Sequence, residues 1–436
     1  MKRVSMCLAS HQLKRCFDFA LLSSRAVTAP RHSPTATRLW QHRDYMLLWS
    51  GQVVSTLGSS ATSLIYPLLI LALTESPGAA GVASALRALP YLLFSLPVGA
   101  LIDRWDRRRV MIVCDLLRAL VVLTVPLAVW FDVLSLAQIY AVAFAEGSLF
   151  VFFNIAEVAA LSRIVPAVDL PRAAAQNEAS FGAAQIVGPS LGTVLFQTLG
   201  HAAPFAADTV SYLVSALSLS KIKTDLRAPP KVGARHLRTE IAEGLRWLRQ
   251  QPLIRYMAVL TGGMNFIYAA TPLLLIVLAK QMGASEIDIG LVFSIGGISG
   301  VVGALIGGRI QRRFGFGQVI ISVIWTQALL FPLYLVVPKF YLPGVVYALT
   351  YTLAPVYNVV QFSYRLALIP DALQGRVNSS FRLLAFGFNP LGAALCGLLL
   401  EHTGSTPTLL FFAVGYLAMA LVTQLNPQVR NAQRLS

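Results

Sequence analysis

Charged side chains inside long apolar runs are the residues of this sequence able to do chemistry. Arg87 and Glu146 each sit well inside such a run, Asp115 and Arg118 are three residues apart in another, and Glu157 follows Glu146 by eleven residues. Asp208 and Glu178 lie in further runs, nearer their ends. An unpaired charge in hydrocarbon costs roughly 2.5 kcal/mol or more on insertion scales, so each needs a partner or a task. A partly desolvated carboxylate can trade a proton against a bound solute. That makes Glu146, Asp115, Arg118, Arg87, Glu157 and Asp208 the candidates for proton coupling, with a permanently paired structural ion as the alternative for each.

Spacing narrows these options. At 1.5 Å per helical residue, Arg87 lies about 12 Å and Glu146 about 16 Å below the outer edges of their runs, so the two can meet if their helices are neighbours. Eleven residues are three helical turns, so Glu157 shares a helix face with Glu146, and Asn154 lies close to that face. Asp115 and Arg118, at i and i+3, can neutralise each other. Asp208 and Glu178 could simply snorkel or cap.

The elements that must position these groups are membrane helices. Of 436 residues, 56% are hydrophobic and only 12% charged, and the mean hydropathy is +0.66. Soluble domains carry about 25% charged residues, which excludes an ordinary soluble enzyme and a disordered chain. Twelve apolar runs are long enough to cross a hydrocarbon core about 30 Å thick. They fall near 46–72, 79–102, 110–131, 135–157, 174–199, 203–220, 253–279, 287–308, 317–337, 341–363, 374–400 and 405–424. The expected fold is an all-α polytopic membrane protein.

The net charge of +16 is a topology signal. With the N-terminus inside, inner segments hold thirty Lys and Arg against Lys280 and Lys339 outside, leaving Arg87, Arg118 and Arg382 within spans. The positive side is the cytoplasmic side, so both termini are expected there. No nucleic-acid motif occurs, and nucleic acid is not an expected partner. Cys7, Cys16, Cys114 and Cys396 lack metal or redox spacing, and His11, His32, His42, His201, His236 and His402 are scattered toward tails and loops. Neither set points to a metal, a cofactor or catalysis.

The chain divides into a cytoplasmic tail over 1–45, a six-helix bundle over 46–220, a linker over 221–252, a second bundle over 253–424 and a short tail over 425–436. The patch LKRCFDFALL in the first tail is too short, and too interrupted by Asp18, for a cleaved signal peptide. That tail reads as disordered, or as preceding the true start. Within the linker, TEIAEGLRWLRQ places Ile241, Leu245 and Leu248 on one stripe, suiting a surface helix that tethers the bundles.

The two bundles echo each other. GALIDRWDRRR after the second run returns as GALIGGRIQRRFG after the eighth, and IVPAVDLPR before the fifth returns as LIPDALQGR before the eleventh. Two six-helix bundles related by a pseudo-twofold axis follow, and with them alternating access about a central site.

These residues resemble the major facilitator superfamily, and within it the twelve-span drug:H+ antiporter branch that includes macrolide and enterobactin exporters. The family's loop signature matches at Gly99, Asp103, Arg104, Arg107 and Arg108, with Asp106 where a Gly is usual. The second copy keeps Arg309, Arg312 and Arg313 but has Gly308 opposite Asp103. The resemblance implies a gating role for both loops, Asp103 accepting from exposed amides of a facing helix and the arginines reaching carboxylates or lipid phosphate. Gly182, Gly188, Pro189 and Gly192 in FGAAQIVGPSLG resemble the antiporter motif of the fifth span, where Pro189 predicts a bend. The fourth-span Arg expected in this branch is absent, because AVAFAEGSLF has Glu146 before Gly147.

The resemblance places the fourth span at a central cavity. Its candidate lining is Gln52, Tyr66, Asn154 and Gln185 from the first half, and Asn265, Tyr268, Tyr357, Asn358, Gln361, Arg382 and Asn389 from the second. Tyrosines and amides offer apolar contact together with hydrogen bonds, suiting a bulky amphiphile. The expected function is secondary export of a drug-like or siderophore-like amphiphile, driven by the proton gradient without a cofactor. A monomer in the bacterial inner membrane is expected, its partners the lipid bilayer and the amphiphilic substrate. Lysophospholipid flipping or nutrient uptake is the alternative, and a membrane sensor or scaffold is the non-transport reading.

Overall fold

A computed structural model describes residues 39–432 apart from 103, 167, 228–236, 337–340 and 371–372. Most of the first tail, Asp103, the middle of the linker, Lys339, Asp371 and the last four residues therefore lie outside the described residues.

Within them the chain is helical. The first half consists of Arg43–Thr74, Pro77–Ile102, Arg107–Trp130, Leu136–Ile164, Leu170–Leu199 and Ala203–Ser220, here spans one to six. After the linker helix Leu237–Gln250 come Pro252–Gln281, Glu286–Arg313, Phe316–Leu330 and Tyr341–Leu368, spans seven to ten. Span eleven is two helices, Gln374–Gly387 and Asn389–Thr403, and span twelve is Ser405–Leu425. Ten helices are long and apolar enough to cross a membrane by length and composition. The other two, spans six and ten, carry buried polar residues such as Asp208 and Gln361 that lower their hydropathy.

Helix ends follow local chemistry. The Asp106 carboxylate accepts from the Arg108 and Arg109 amides and starts span three, which accounts for an acid where a glycine is usual. Ser285 and Asp288 form a capping box that starts span eight. Span four runs to Ile164, well beyond the expected end at 157, so Glu157 lies inside a helix. The bend expected at Pro189 does not interrupt span five, whereas the helix of span eleven breaks just before Pro390. Proline removes the i to i−4 bond in both, but at Pro189 the freed Gln185 carbonyl is met by the close approach of Gly297.

The packing shows the duplication directly. Spans one and five, two and four, and three and six pair in the first half, and seven and eleven, eight and ten, and nine and twelve pair in the second. The halves then meet through spans two and eleven and spans five and eight. These cross-half contacts concentrate at the face away from the linker. There the Ser190 and Ser294 hydroxyls bond at 2.7 Å, Gln197 accepts from the Ile287 amide at 3.2 Å, and Glu401 accepts from the Gly78 amide at 2.7 Å and from Ser76. A Cβ on Gly81 would stand 2.7 Å from the Gly397 Cα, so backbone meets backbone at this seam.

On the linker face the linker helix docks on span eleven, pairing Glu243 with Arg376. Leu248 is buried and Leu245 exposed, while the side chain of Ile241 lies outside the described ones.

Gly81→Leu therefore forces the far seam apart. Spin labels at Leu199 and Ile287 are expected to report a short separation in the parent and a longer one in Gly81→Leu. An unchanged distance distribution would show that this contact does not hold the far face shut.

Candidate functional site

Glu146 is 1% exposed and is shared by four neighbouring helices. Arg87 of span two pairs with Oε1 at 2.9 Å, Tyr66 of span one donates to Oε2 at 2.7 Å, and Tyr212 of span six donates to Oε1 at 3.2 Å. Arg118 of span three lies 4.0 Å from the same oxygen and donates to the Tyr212 hydroxyl at 2.7 Å, its guanidinium 4.0 Å above that ring. Ser59 bonds the same hydroxyl at 2.8 Å. The depth match between Arg87 and Glu146 read from the sequence is thus an ion pair.

Asp115 is fully buried and faces Arg118 at 3.7 Å, yet neither of its oxygens has a hydrogen bond. The sequence reading of an isolated Asp115–Arg118 pair gives way to a network, because Arg118 also serves Tyr212 and Glu146. Asp208, instead of snorkelling, is fully buried and accepts from Thr62 at 2.7 Å and Ser211 at 3.0 Å. Glu157 lines the wider of two cavities between the halves.

Two contiguous cavities run between the halves. The inner one, 560 Å³, brings Arg87, Arg118, Glu146 and Tyr66 opposite Tyr268, Tyr347, Tyr351 and Tyr416, with Gln185 and Gln327 between. The second, 810 Å³, shares Ser59, Arg118 and Gln185 with the first and is lined by Gln52, Asn154, Glu157, Arg382 and Asn389 from the linker-side parts of their spans. Volumes of a few hundred to a thousand Å³ suit a drug-sized solute. The Tyr268 hydroxyl is buried without a partner, leaving a hydrogen-bonding group available to an occupant.

Four expected lining residues lie elsewhere. Asn265 donates to the Ala385 carbonyl, Tyr357 bonds Thr261 at 2.7 Å, Gln361 is buried in span ten, and Asn358 is exposed. Interhelical bonding and the rotation of span ten, which turns Tyr347 and Tyr351 inward instead, account for this. Tyr347 and Tyr416 were missed. The i, i+4 spacing of Tyr347 and Tyr351 is the signal that could have found the former.

The loop arginines also differ from expectation. Arg108 donates to the Leu219 carbonyl at 3.1 Å and to that of Ser220, the orphan acceptors at the end of span six, and Arg107 is buried. These bonds stay within one half, so rocking of the halves need not break them. Arg104, Arg309, Arg312 and Arg313 are exposed, Gly99 has open space around it, and Asp103 lies outside the described residues.

Removing the shared anion is expected to be costly. Glu146→Gln leaves Arg87 without its carboxylate and Arg118 with Asp115 alone, and should destabilise the fold by about 3–5 kcal/mol. Thermal unfolding in detergent measures this, and Arg87→Met added to Glu146→Gln should restore part of the loss. Coincident melting of parent and single variant would show that the ion is dispensable.

Comparison with known proteins finds relatives along most of the chain. The multidrug efflux pump Tap of Mycolicibacterium fortuitum is 27% identical over 403 residues, covering 88% of this chain and 96% of that protein. Macrolide efflux protein A of Streptococcus pyogenes is 25% identical over 409 residues, 90% of this chain and 97% of that protein. The crystal structure of nucleoside transporter NupG superposes with a TM-score of 0.72 at 13% identity, over 89% of this chain and 100% of that one, a likeness of fold. Residues 48–387 match the family model of the Major Facilitator Superfamily, and the chain belongs to that superfamily of membrane transporters.

Proposed function

We propose that this protein is a secondary exporter of amphiphilic, drug-like or siderophore-like molecules, working by alternating access and driven by inward proton flow. The observation that carries the reading is the central cavity, with a buried ion network on one wall and a cluster of tyrosines on the other. Such a site gives a large amphiphile both apolar contact and fixed hydrogen-bond partners. The efflux activities named for the two curated relatives support export over uptake. The excess of Lys and Arg on the linker side supports a cytoplasmic position for both termini in a bacterial inner membrane. In that orientation the wider cavity faces the cytoplasm and the seam at Gly81 and Gly397 closes the outer side, a state ready to load a solute from within. Closed inter-helix packing inside each half favours a working monomer.

The test is transport in sealed proteoliposomes with an imposed pH gradient, using erythromycin, enterobactin, ethidium and lysophosphatidylcholine as probes. Drug or siderophore movement that stops when a protonophore collapses the gradient is the expected result. Movement indifferent to the gradient would remove the proton coupling, and movement of the lysolipid alone would favour a flippase.

A further inference from the structure

We propose that Asp208 carries the exchanged proton, while Glu146 stays ionised as the anchor of the two guanidinia. The cluster holds Arg87 and Arg118 against Glu146 and Asp115 beside the cavity, with Asp208 fully buried behind it, one helical turn from Tyr212. Both guanidinia are engaged by Glu146 and Asp115, which leaves the fully buried Asp208 without a cation of its own, and an uncompensated charge away from water is removed by binding a proton. The proton belongs where cations are farthest. Glu146 has Arg87 at 2.9 Å and Asp115 has Arg118 at 3.7 Å. No cation among the described residues comes within ion-pair distance of Asp208.

The surroundings of Asp208 accept either protonation state. Thr62 Oγ1 stands 2.7 Å from Asp208 Oδ2, 3.2 Å from the Gly58 carbonyl and 3.3 Å from that of Ser59. With Asp208 neutral, its O–H donates to Thr62, whose own hydrogen turns to the Gly58 or Ser59 carbonyl. With Asp208 ionised, Thr62 turns and donates to the carboxylate, joined by Ser211 at 3.0 Å. Gly58 leaves the room, since a Cβ there would stand 2.6 Å from Asp208 Oδ1. Glu146 differs in being held by the Arg87 guanidinium at 2.9 Å, a donor that cannot turn into an acceptor.

Asp208 is also wired to the cavity. Groups bearing on it are Ser211 and Tyr212 of its own helix, Arg118 of span three, Glu146 of span four and the Thr62 hydroxyl of span one, with Asp115 and Tyr66 reaching it through Arg118 and Glu146. Ser59, which lines both cavities, touches Tyr212 and Arg118. A solute seated against Arg87 and Glu146 loosens the hold of Glu146 on Arg118, whose field then favours the carboxylate form of Asp208. The carboxyl O–H breaks, the proton passes to water in the cavity, and the carboxylate recovers a proton after the halves have rocked.

Infrared difference spectroscopy of the full-length protein in nanodiscs tests the assignment without any solute. The parent should show a protonated-carboxyl C=O stretch near neutral pH that is lost in Asp208→Asn, which keeps the shape and hydrogen-bonding capacity of the neutral acid. A parent without that band, or a band untouched by the substitution, overturns the proposal. The role in exchange rests on the proton-driven reading above and is tested separately in the proteoliposomes. Asp208→Asn should lose gradient-driven accumulation of whichever probe the parent moves, while keeping downhill exchange of it. Gradient-driven accumulation retained by Asp208→Asn overturns the assignment. A parent that ignores the gradient while the Asp208 band is present overturns the proton-carrier role together with the reading beneath it, and leaves only the protonation of Asp208.

Discussion

The first half is organised around a single carboxylate taken out of water. Ionised Glu146 at that depth is tolerable only when its lone pairs are filled by cations and hydroxyls, and these arrive from spans one, two, three and six. A helix that slid by one turn would pull its donor away and expose the charge to hydrocarbon. The network therefore fixes the register of five helices at once and makes the first half a rigid unit. Between the halves the contacts are fewer and fall mainly to spans two and eleven and spans five and eight.

The second half is built by other means. Its cohesion comes from rings and small residues, as in the stack of Phe316 on Tyr364 at 4.0 Å and the Cys396 thiol against the Ala270 carbonyl. Its contribution to the cavity is accordingly aromatic, with hydroxyls such as that of Tyr268 left without partners. A duplicated scaffold thus carries two unlike walls, one of buried charges and the other of aromatic rings. Arg365 shows the same preference, since it is buried against the Phe381 ring at 3.9 Å and pairs with no acid among the described residues.

The fold was readable because hydrocarbon imposes length and composition on every span, and because the basic loops and the paired motifs mark the two halves. The Arg87–Glu146 pair was readable from depth alone, since depth along a helix is fixed by residue count. Rotation about the helix axis is not fixed that way, so Tyr357, Asn358 and Gln361 were assigned to the cavity while Tyr347 was overlooked. The joining of Arg118 to Glu146 through Tyr212 depends on which helices are neighbours, information carried by tertiary packing. The role of Asp106 in starting span three was hidden because a loop motif drew attention to its arginines and away from its one capping acid.

The seam at Gly81 and Gly397 bears on speed. Most helix interfaces interlock side chains, and separating them requires each knob to leave its hole through a strained rotamer. Here two backbones lie against each other with nothing interlocked, and the neighbouring tie is the Glu401 carboxylate seated on the Gly78 amide at the start of span two. Parting such a surface demands no rotamer exchange, and the released carboxylate and amide pass straight into water. The Ser190–Ser294 and Gln197–Ile287 bonds on the same face likewise end in groups that water can take over, so this side parts by exchanging polar contacts for water instead of by side chains leaving interlocked positions.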